Sequence, residues 1–255
     1  MIFKVALVAA SVLLASLAAR RFGHAVGGLL GGLPMIAGPI IGFVLWQEPL
    51  DSARAIVLAT LVCLPATIAH QTTFAWCATR WHWAMALLAA NTVFLACGAL
   101  LLALHLPPGG VIVLALAAPL LGLAAMPRLP LVPGRVAIPP IELTLRVLAA
   151  MAMAGLIIES AGAVPAALSG LLLALPITAN VLPCFTLPVH GPAATVALLA
   201  GFVRGLLGFV AFFVALHVSL GALGTGAGFA VAWIVALGVA AAMYRLRRWR
   251  ARAPA

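Results

Sequence analysis

The chain has 255 residues, of which 66% are hydrophobic and only 7% are charged, and its formal net charge is +10. A mean hydropathy of +1.27 is too apolar for a surface that faces water, so the composition predicts an all-α integral membrane protein rather than a soluble enzyme. Most basic residues lie in short loops and in the C-terminal tail, a distribution that indicates membrane topology and excludes a nucleic-acid partner.

Apolar runs long enough to cross a lipid bilayer recur along almost the whole chain. A hydrocarbon core of about 30 Å needs roughly 20 apolar residues in a helix. Proline, glycine and a few charged residues separate the runs. The pattern predicts about nine transmembrane helices, at 3–19, 26–46, 54–78, 83–105, 110–126, 141–160, 168–189, 193–217 and 226–244.

The charged residues predict how these spans are oriented. When alternate connections are assigned to opposite faces, Lys4 and Arg54 fall on one face. The other face carries Arg20, Arg21, Arg80, Arg128, Arg135 and the tail arginines. The positive-inside rule makes the arginine-rich face cytoplasmic. We therefore expect a multi-pass protein of the inner (plasma) membrane with its N-terminus outside, its C-terminus in the cytoplasm and its basic tail on anionic lipid.

The two halves of the chain resemble each other after a shift of 142 positions. The shift aligns GLLGGLPMIA at 28–37 with GLLLALPITA at 170–179, and six of the ten pairs are identical. The chain then divides into a first repeat of four spans (1–106), a linker with the fifth span (107–140), a second repeat of four spans (141–244) and a basic cytoplasmic tail (245–255). Because five spans precede the second copy, the repeats are expected to have inverted topology.

The second span of each repeat contains two prolines, Pro34 and Pro39 in the first copy and Pro176 and Pro183 in the second. Proline removes a backbone donor and clashes with the preceding turn, so each pair predicts a helix that is unwound between the two prolines. Unwound backbone at bilayer depth needs protein or water to satisfy its polar groups.

Two interpretations of these breaks stay open. The spans are either kinked helices packed through small residues, or discontinuous helices that face a central substrate site. The second interpretation makes substrate-binding candidates of Ala37, Gly38, Thr178 and Asn180. The GxxxG spacings of Gly27 with Gly31, and of Gly201 with Gly205, predict close contacts between helices.

Arg204 is predicted to lie near the middle of the eighth span. An arginine there costs about 2.5 to 3.5 kcal/mol, so it needs a partner or a water-filled cavity. Its planar donor fork suits a carboxylate or phosphate, which makes Arg204 a candidate contact for an anionic small molecule. The alternative is a structural role, either an ion pair with Glu159 or hydrogen bonds to backbone carbonyls.

The third span carries Thr67, His70 and Gln71 at helical spacing. His70 is a candidate for coupling transport to the proton gradient, with a purely structural hydrogen-bonding role as the alternative. Asn91 in the fourth span is expected to join the same polar patch and to bind substrate, and Glu159 is a second candidate for proton coupling. The four cysteines have no ligand spacing, so neither a metal nor a cofactor is predicted.

These features favour a secondary transporter, or facilitator, of a small anionic or amphipathic organic solute across a bacterial-type inner membrane. The predicted architecture resembles transporters built from inverted repeats with interrupted helices. The alternatives are a lipid or polyprenyl-carrier flippase, a non-catalytic subunit of a larger complex, and a membrane-embedded lipid-modifying enzyme. The last is disfavoured because the sequence lacks a recognisable catalytic motif, and a homodimer is compatible with the sequence.

Overall fold

The computed structural model describes residues 2–35, 37–130, 140–141, 143–145, 147–148, 151–152 and 165–250. Within these ranges every regular element is an α-helix, as the composition predicts. The helices are α1 (Ile2–Phe22), α2 (His24–Gly31), α3 (Ala37–Gln47), α4 (Leu50–Cys77), α5 (Trp83–Ala103), α6 (Pro108–Ala125), α7 (Ala166–Ala174) and α8 (Ile177–Arg250). Glu159, and most of the predicted sixth span, lie outside the described residues.

Four helical stretches of the described chain are long and apolar enough to cross a membrane. They are α4, α5, α6 and the stretch Ala167–Met243. The last has 77 residues, which would correspond to about 115 Å of continuous helix at 1.5 Å per residue. It therefore contains several segments, and the apolar helices fit a membrane-embedded protein.

Two glycines divide α8 into three helical segments. Gly191 (φ 77°, ψ −178°) and Gly224 (φ 74°, ψ −178°) have backbone angles that are not helical and that glycine adopts without a steric penalty. The segments are 177–190 (α8a), 192–223 (α8b) and 225–250 (α8c). These breaks lie close to the predicted boundaries between the seventh, eighth and ninth spans.

The predicted interruptions in the two second spans are present. The helix stops between α2 and α3, around Pro34, and between α7 and α8, at Pro176. The prediction that unwinding extends to the second proline of each pair is wrong. Pro39 lies in the first turn of α3, where its missing N–H has no intrahelical partner to lose. Pro183 lies inside α8a and removes one backbone donor without ending the helix.

Helix α2 crosses α8b with the two backbones in direct contact. A Cβ added to Gly28 would lie 3.0 Å from the Gly201 Cα, and one added to Gly32 would lie 2.9 Å from the Gly205 Cα. Real Cβ atoms essentially never lie closer than 3.0 Å to another heavy atom, so only glycine fits where the two helices cross. This contact includes the Gly201 and Gly205 pair predicted from its spacing.

In α2 the backbone contact is made by the glycine pair one residue after the predicted Gly27 and Gly31. The contact uses Gly28 and Gly32, whereas a Cβ on Gly31 would meet the Phe202 side chain rather than backbone. The sequence could not distinguish the two registers because residues 27, 28, 31 and 32 are all glycine and contain two overlapping GxxxG spacings. The facing helix α8b selects one of them.

Helix α7 makes the corresponding contact with α4. A Cβ on Gly170 would lie 2.7 Å from the Thr60 nitrogen, and one on Gly28 would lie 2.9 Å from the Phe202 nitrogen. The 142-position shift relates Gly170 to Gly28 and Phe202 to Thr60. The first half of each broken span therefore packs against a helix from the other half of the chain, at equivalent positions.

Several helix boundaries are also related by the 142-position shift. Helices α2 and α7 begin at equivalent residues, as do α4 and α8b, and α5 and α8c. The three pairs of starting residues are His24 and Ala166, Leu50 and Pro192, and Trp83 and Thr225. Three helices of the first half thus begin at positions that the shift relates to helix starts in the second half.

The two ends of α4 contact different parts of the bundle. Near its start, the Arg54 side chain lies against Gly221, at the end of α8b. Near its end, the Trp76 indole donates a 2.8 Å hydrogen bond to the Ala125 carbonyl, at the end of α6. Arg54 and Trp76 are about 33 Å apart along the helix. The connection from α8b to α8c and the connection after α4 therefore lie at opposite ends of α4.

Candidate functional site

A cavity of about 70 Å³ lies between the two interrupted spans. One water needs roughly 10–15 Å³ of such space, so the cavity has room for about five to seven water-sized groups. Both breaks contribute to its wall, together with α4 and α8b. Within a membrane, the free backbone groups of an interrupted helix are tolerated where they are buried in protein or line a water-filled cavity. The two interruptions here border such a cavity.

The cavity is lined by pairs of residues that the 142-position shift relates. Both members of each of the following pairs line it: Leu33 and Leu175, Ala37 and Ala179, and Leu64 and Leu206. The first two pairs belong to the breaks and the third to the helices that cross them. The cavity therefore lies where the two halves of the chain meet.

The two equivalent helices, α4 and α8b, contribute different chemistry to this cavity. Thr67 and Gln71 of α4 line it, and so does Thr178 of α8a. The residues equivalent to Thr67 and Gln71 in α8b are Phe209 and Phe213, and Phe209 also lines the cavity. One wall is consequently polar and the other aromatic, so an amphipathic occupant matches the site better than a uniformly polar one.

Thr67 holds the end of α7 in place. Its hydroxyl donates a 2.6 Å hydrogen bond to the Ala174 carbonyl, which is the last carbonyl of α7. The final carbonyls of a helix have no intrahelical donor, so this bond satisfies one of them. At the end of α2 the equivalent residue is Gly32, and Phe209 takes the place of Thr67 without offering a donor.

Gln71 lines the cavity and carries a buried acceptor that is not satisfied. The side chain is 2% exposed, and its Oε1 has no hydrogen-bond partner among the described residues. Leaving such a buried group unpaired costs about 1–3 kcal/mol, because the group gave up hydrogen bonds to water.

Two helix N-termini face the same cavity. Helix α8a begins at Ile177, and Thr178 and Ala179 in its first turn line the cavity. Helix α3 begins at Ala37, which also lines it. The first N–H groups of a helix lack intrahelical acceptors, and the macrodipole places about half a positive charge at this end. Both features favour an anionic group.

A hydrogen-bond network connects α4, α5 and α8a. The Asn91 Nδ2 donates to the Asn180 Oδ1 at 2.8 Å, and the His70 Nε2 lies 3.1 Å from the same oxygen. The Asn180 Nδ2 donates to the Pro176 carbonyl at 3.2 Å, inside the break. Because the shared oxygen accepts, the proton of the neutral His70 ring is assigned to Nε2. The break is thus tied to two other helices through one side chain.

The residues predicted to bind substrate separate into different places. Ala37 and Thr178 line the cavity. Gly38 faces the Trp233 side chain of α8c. Asn91 and Asn180 belong to the network and line a second groove, between α5 and α8a.

Arg204 lies half-buried on α8b, and it is not among the described residues that line the cavity. Its neighbours Phe202 and Leu206 do line it. Two residues along a helix correspond to about 200° of rotation, so Arg204 projects from the face of α8b that is turned away from the cavity. Its side chain has interactions of its own in the structure, so it is not an unpaired charge.

Gln71 and Phe209 line the cavity although neither was predicted to bind substrate. One signal for Gln71 was its i, i+4 spacing from Thr67, which places both on one face of α4. A signal for Phe209 was its equivalence to Thr67 under the repeat shift. The unpaired state of the Gln71 Oε1 has no signal in the sequence, because it depends on what the other helices place nearby.

Among the described residues, no group of three or more His, Cys, Asp or Glu side chains is placed to hold a metal ion. All four cysteines are free thiols. No model of a known protein family, no curated protein and no solved structure matches the chain.

Proposed function

We propose that the chain is a secondary transporter, or facilitator, that moves a small anionic or amphipathic organic solute across the inner membrane. The observation that carries this proposal is the cavity between the two interrupted spans, lined by pairs of equivalent residues from both halves of the chain. Transporters with repeats bind their substrates at this kind of position, between discontinuous helices near the bilayer midplane.

The proposal includes about nine spans arranged as two repeats of inverted topology. Three observations support it: the shared helix boundaries, the matching contacts of Gly28 and Gly170, and the position of the two equivalent connections at opposite ends of α4. Two similar halves of opposite orientation can exchange their conformations. Such an exchange opens a central site first to one side of the membrane and then to the other.

The chemistry of the cavity supports the choice of solute. The N-termini of α3 and α8a supply a positive potential without a charged side chain, which suits an anionic group. Phe209 and Leu206 offer an apolar surface to the rest of the molecule. In this proposal the helix N-termini, rather than Arg204, contact the anionic group in the conformation described.

A lipid or polyprenyl-carrier flippase is the second candidate, favoured by one observation. A groove of about 540 Å³ between α5 and α8a has apolar walls that include Trp83, Phe185 and Pro188. Asn91 and Asn180 line the same groove. A flippase needs a groove with apolar sides and a polar region for a headgroup, whereas a solute carrier works without it.

Access to the cavity from both sides of the membrane tests the transport proposal without knowledge of the solute. Ala37→Cys and Ala179→Cys place single thiols at equivalent positions of the cavity wall. The background carries alanine in place of the native cysteines Cys63, Cys77, Cys97 and Cys184. Each new thiol is expected to react with a small membrane-impermeant methanethiosulfonate reagent added on either side.

The control is Arg80→Cys, in the exposed connection after α4, which is expected to react from one side only. Reaction of both cavity thiols from one and the same side alone would contradict alternating access. It would favour a static subunit or an enzyme with a single entrance.

A further inference from the structure

Two buried side chains leave hydrogen-bond donors open on the cavity wall. Gln71 is 2% exposed and Thr178 is 5% exposed, and both line the cavity. The Gln71 Nε2 and the Thr178 hydroxyl make no hydrogen bond within the described part of the chain, and neither atom is sealed off as the Gln71 Oε1 is. Because the two side chains are almost completely buried, their open atoms face the cavity rather than the lipid.

The amide nitrogen, rather than the oxygen, is assigned to the cavity side of Gln71. The opposite assignment would bury two N–H donors without an acceptor, whereas this one buries a single carbonyl oxygen. As for backbone amides, unpaired buried N–H groups are rarer than under-satisfied carbonyl groups. Gln71 therefore offers the cavity a donor.

Backbone donors face the cavity as well. The first helical hydrogen bond of α8a runs from the Asn180 N–H to the Pro176 carbonyl, at 2.8 Å. The N–H groups of Thr178 and Ala179 precede it in the first turn, and they have no backbone acceptor among the described residues. Both residues line the cavity, so the wall of α8a combines a side-chain donor with backbone donors.

The first copy has the same arrangement at the N-terminus of α3. The Gly38 N–H donates to the Pro34 carbonyl at 2.7 Å, and the 142-position shift relates this bond to the one between Asn180 and Pro176. The preceding N–H group, that of Ala37, is without a backbone acceptor in the described chain. Ala37 lines the cavity too, so both breaks turn open N–H groups toward it.

We propose that the solute is a short aliphatic monocarboxylate, with one carboxylate group and no hydrogen-bond donor on its chain, as in propionate or butyrate. The inference rests on the proposed transport function and names the substrate class of the same site. An ionised carboxylate accepts hydrogen bonds and never donates them, so it is the partner that the open donors require.

The charge of the solute follows from the two helix N-termini. The positive ends of the α3 and α8a dipoles both lie at the cavity, and no acidic or basic side chain is among the described residues that line it. Hydrogen bonds from N–H groups to a carboxylate are about twice as strong as those to a neutral oxygen. A negative group therefore gains more from this wall than a neutral acceptor does.

Carbonyl groups at the ends of α2 and α7 are already paired within the chain. The Leu33 N–H donates to the Leu30 carbonyl at 3.2 Å, and the equivalent bond in α7, from Leu175 to Leu172, has the same length. The Ala174 carbonyl accepts a hydroxyl donor from α4 at 2.6 Å. An ammonium group on the solute would compete with these bonds, and the site is expected to discriminate against it because a buried donor without an acceptor is costly.

The remaining part of the solute must be apolar and small. Of the described residues that line the cavity, only Thr67, Gln71 and Thr178 carry polar side chains, and Phe209 and Leu206 belong to the apolar remainder. A cavity of about 70 Å³ has room for roughly five to seven water-sized groups. Propionate and butyrate have about that number of non-hydrogen atoms, and their alkyl carbons can lie against the apolar wall.

The first test measures binding to the full chain in lipid nanodiscs by calorimetry. The solutes are propionate, propionamide, alanine and nitrate. We expect propionate to bind, and propionamide, which has nearly the same shape but no charge, to bind about tenfold more weakly. Alanine should also bind about tenfold more weakly, because its ammonium group gives up water without gaining an acceptor. Nitrate keeps the charge but lacks the alkyl carbons, and we expect a similar loss.

The second test removes the side-chain donors one at a time. Gln71→Leu and Thr178→Val are each expected to weaken propionate binding about tenfold, because each leaves a carboxylate oxygen without one donor. The two substitutions lie on separate helices, so the test does not depend on the stability of a single variant. Thr92→Val is the matched control, because Thr92 is exposed on α5 and its hydroxyl donates to the Leu88 carbonyl of its own helix. The control should keep the wild-type affinity.

The inference is overturned when propionate does not bind the wild-type chain, when propionamide, alanine or nitrate binds as tightly as propionate, or when Gln71→Leu and Thr178→Val keep the wild-type affinity. These results leave the proposed function standing as long as Ala37→Cys and Ala179→Cys react from both sides of the membrane. One-sided reaction of the cavity thiols defeats the transport proposal itself, so the two failures are distinguishable.

Discussion

Replacing Asn180 by alanine should destabilise the fold through the hydrogen-bond network behind the cavity. The Asn180 side chain is 5% exposed, and its Oδ1 accepts from Asn91 at 2.8 Å and lies 3.1 Å from the His70 Nε2. Without it, the fully buried His70 Nε2–H loses this acceptor. Asn91 keeps a second bond, at 3.0 Å, to the Leu87 carbonyl.

The expected magnitude follows from these two losses. One buried donor left unpaired costs about 1–3 kcal/mol. A side-chain hydrogen bond between membrane helices contributes about 0.6 kcal/mol on average, which is the estimate for the loss at Asn91. We therefore expect Asn180→Ala to lower the free energy of unfolding by about 1.5–3.5 kcal/mol.

A double-mutant cycle in mixed micelles measures whether the network is the cause. Asn180→Ala combined with Asn91→Ala should show a coupling free energy of at least about 0.5 kcal/mol, because the two side chains share a hydrogen bond. Asn180→Ala combined with Thr92→Ala should show none, since the Thr92 hydroxyl donates to its own helix. A loss below about 0.5 kcal/mol for Asn180→Ala would refute the reasoning, because exposed substitutions change stability by that much.

Three further predictions concern the backbone contact between α2 and α8b, the Arg204 side chain and the His70 side chain. Gly28→Ala should destabilise by about 1–3 kcal/mol in thermal unfolding, because its Cβ would meet the α8b backbone, whereas Gly109→Ala, with nothing within 4 Å, should not. Arg204→Gln should leave solute binding to the cavity unchanged when binding to the chain in lipid nanodiscs is measured by calorimetry, and a tenfold loss would restore Arg204 as the anion contact. His70→Gln should abolish acceleration of uptake by a proton gradient while exchange of solute continues, and retained acceleration would exclude His70 as the coupling residue.

The helical membrane architecture could be predicted because it follows from length and composition alone. Runs of apolar residues separated by proline and glycine have few other solutions in a bilayer. The breaks at Pro34 and Pro176 could also be predicted, since proline acts on its own helix. The number of crossings and the inversion of the repeats stay predictions.

What could not be predicted depends on the faces that helices present to one another. Gly32 rather than Gly31 contacts the α8b backbone because the facing helix selects between two equal spacings. Arg204 was expected near the substrate from its depth in the span, but depth does not specify the direction in which a side chain projects. The unpaired Gln71 oxygen is likewise a property of the assembled bundle.

The inverted orientation of the two repeats is tested most directly by labelling two equivalent connections. Arg80 follows α4 and Ala222 precedes α8c; both residues are exposed and 142 positions apart. In the cysteine-free background, Arg80→Cys is expected to react with an impermeant maleimide only from the cytoplasmic side, and Ala222→Cys only from the opposite side. Reaction of both thiols from the same side would contradict the inversion and, with it, the proposed mechanism of transport.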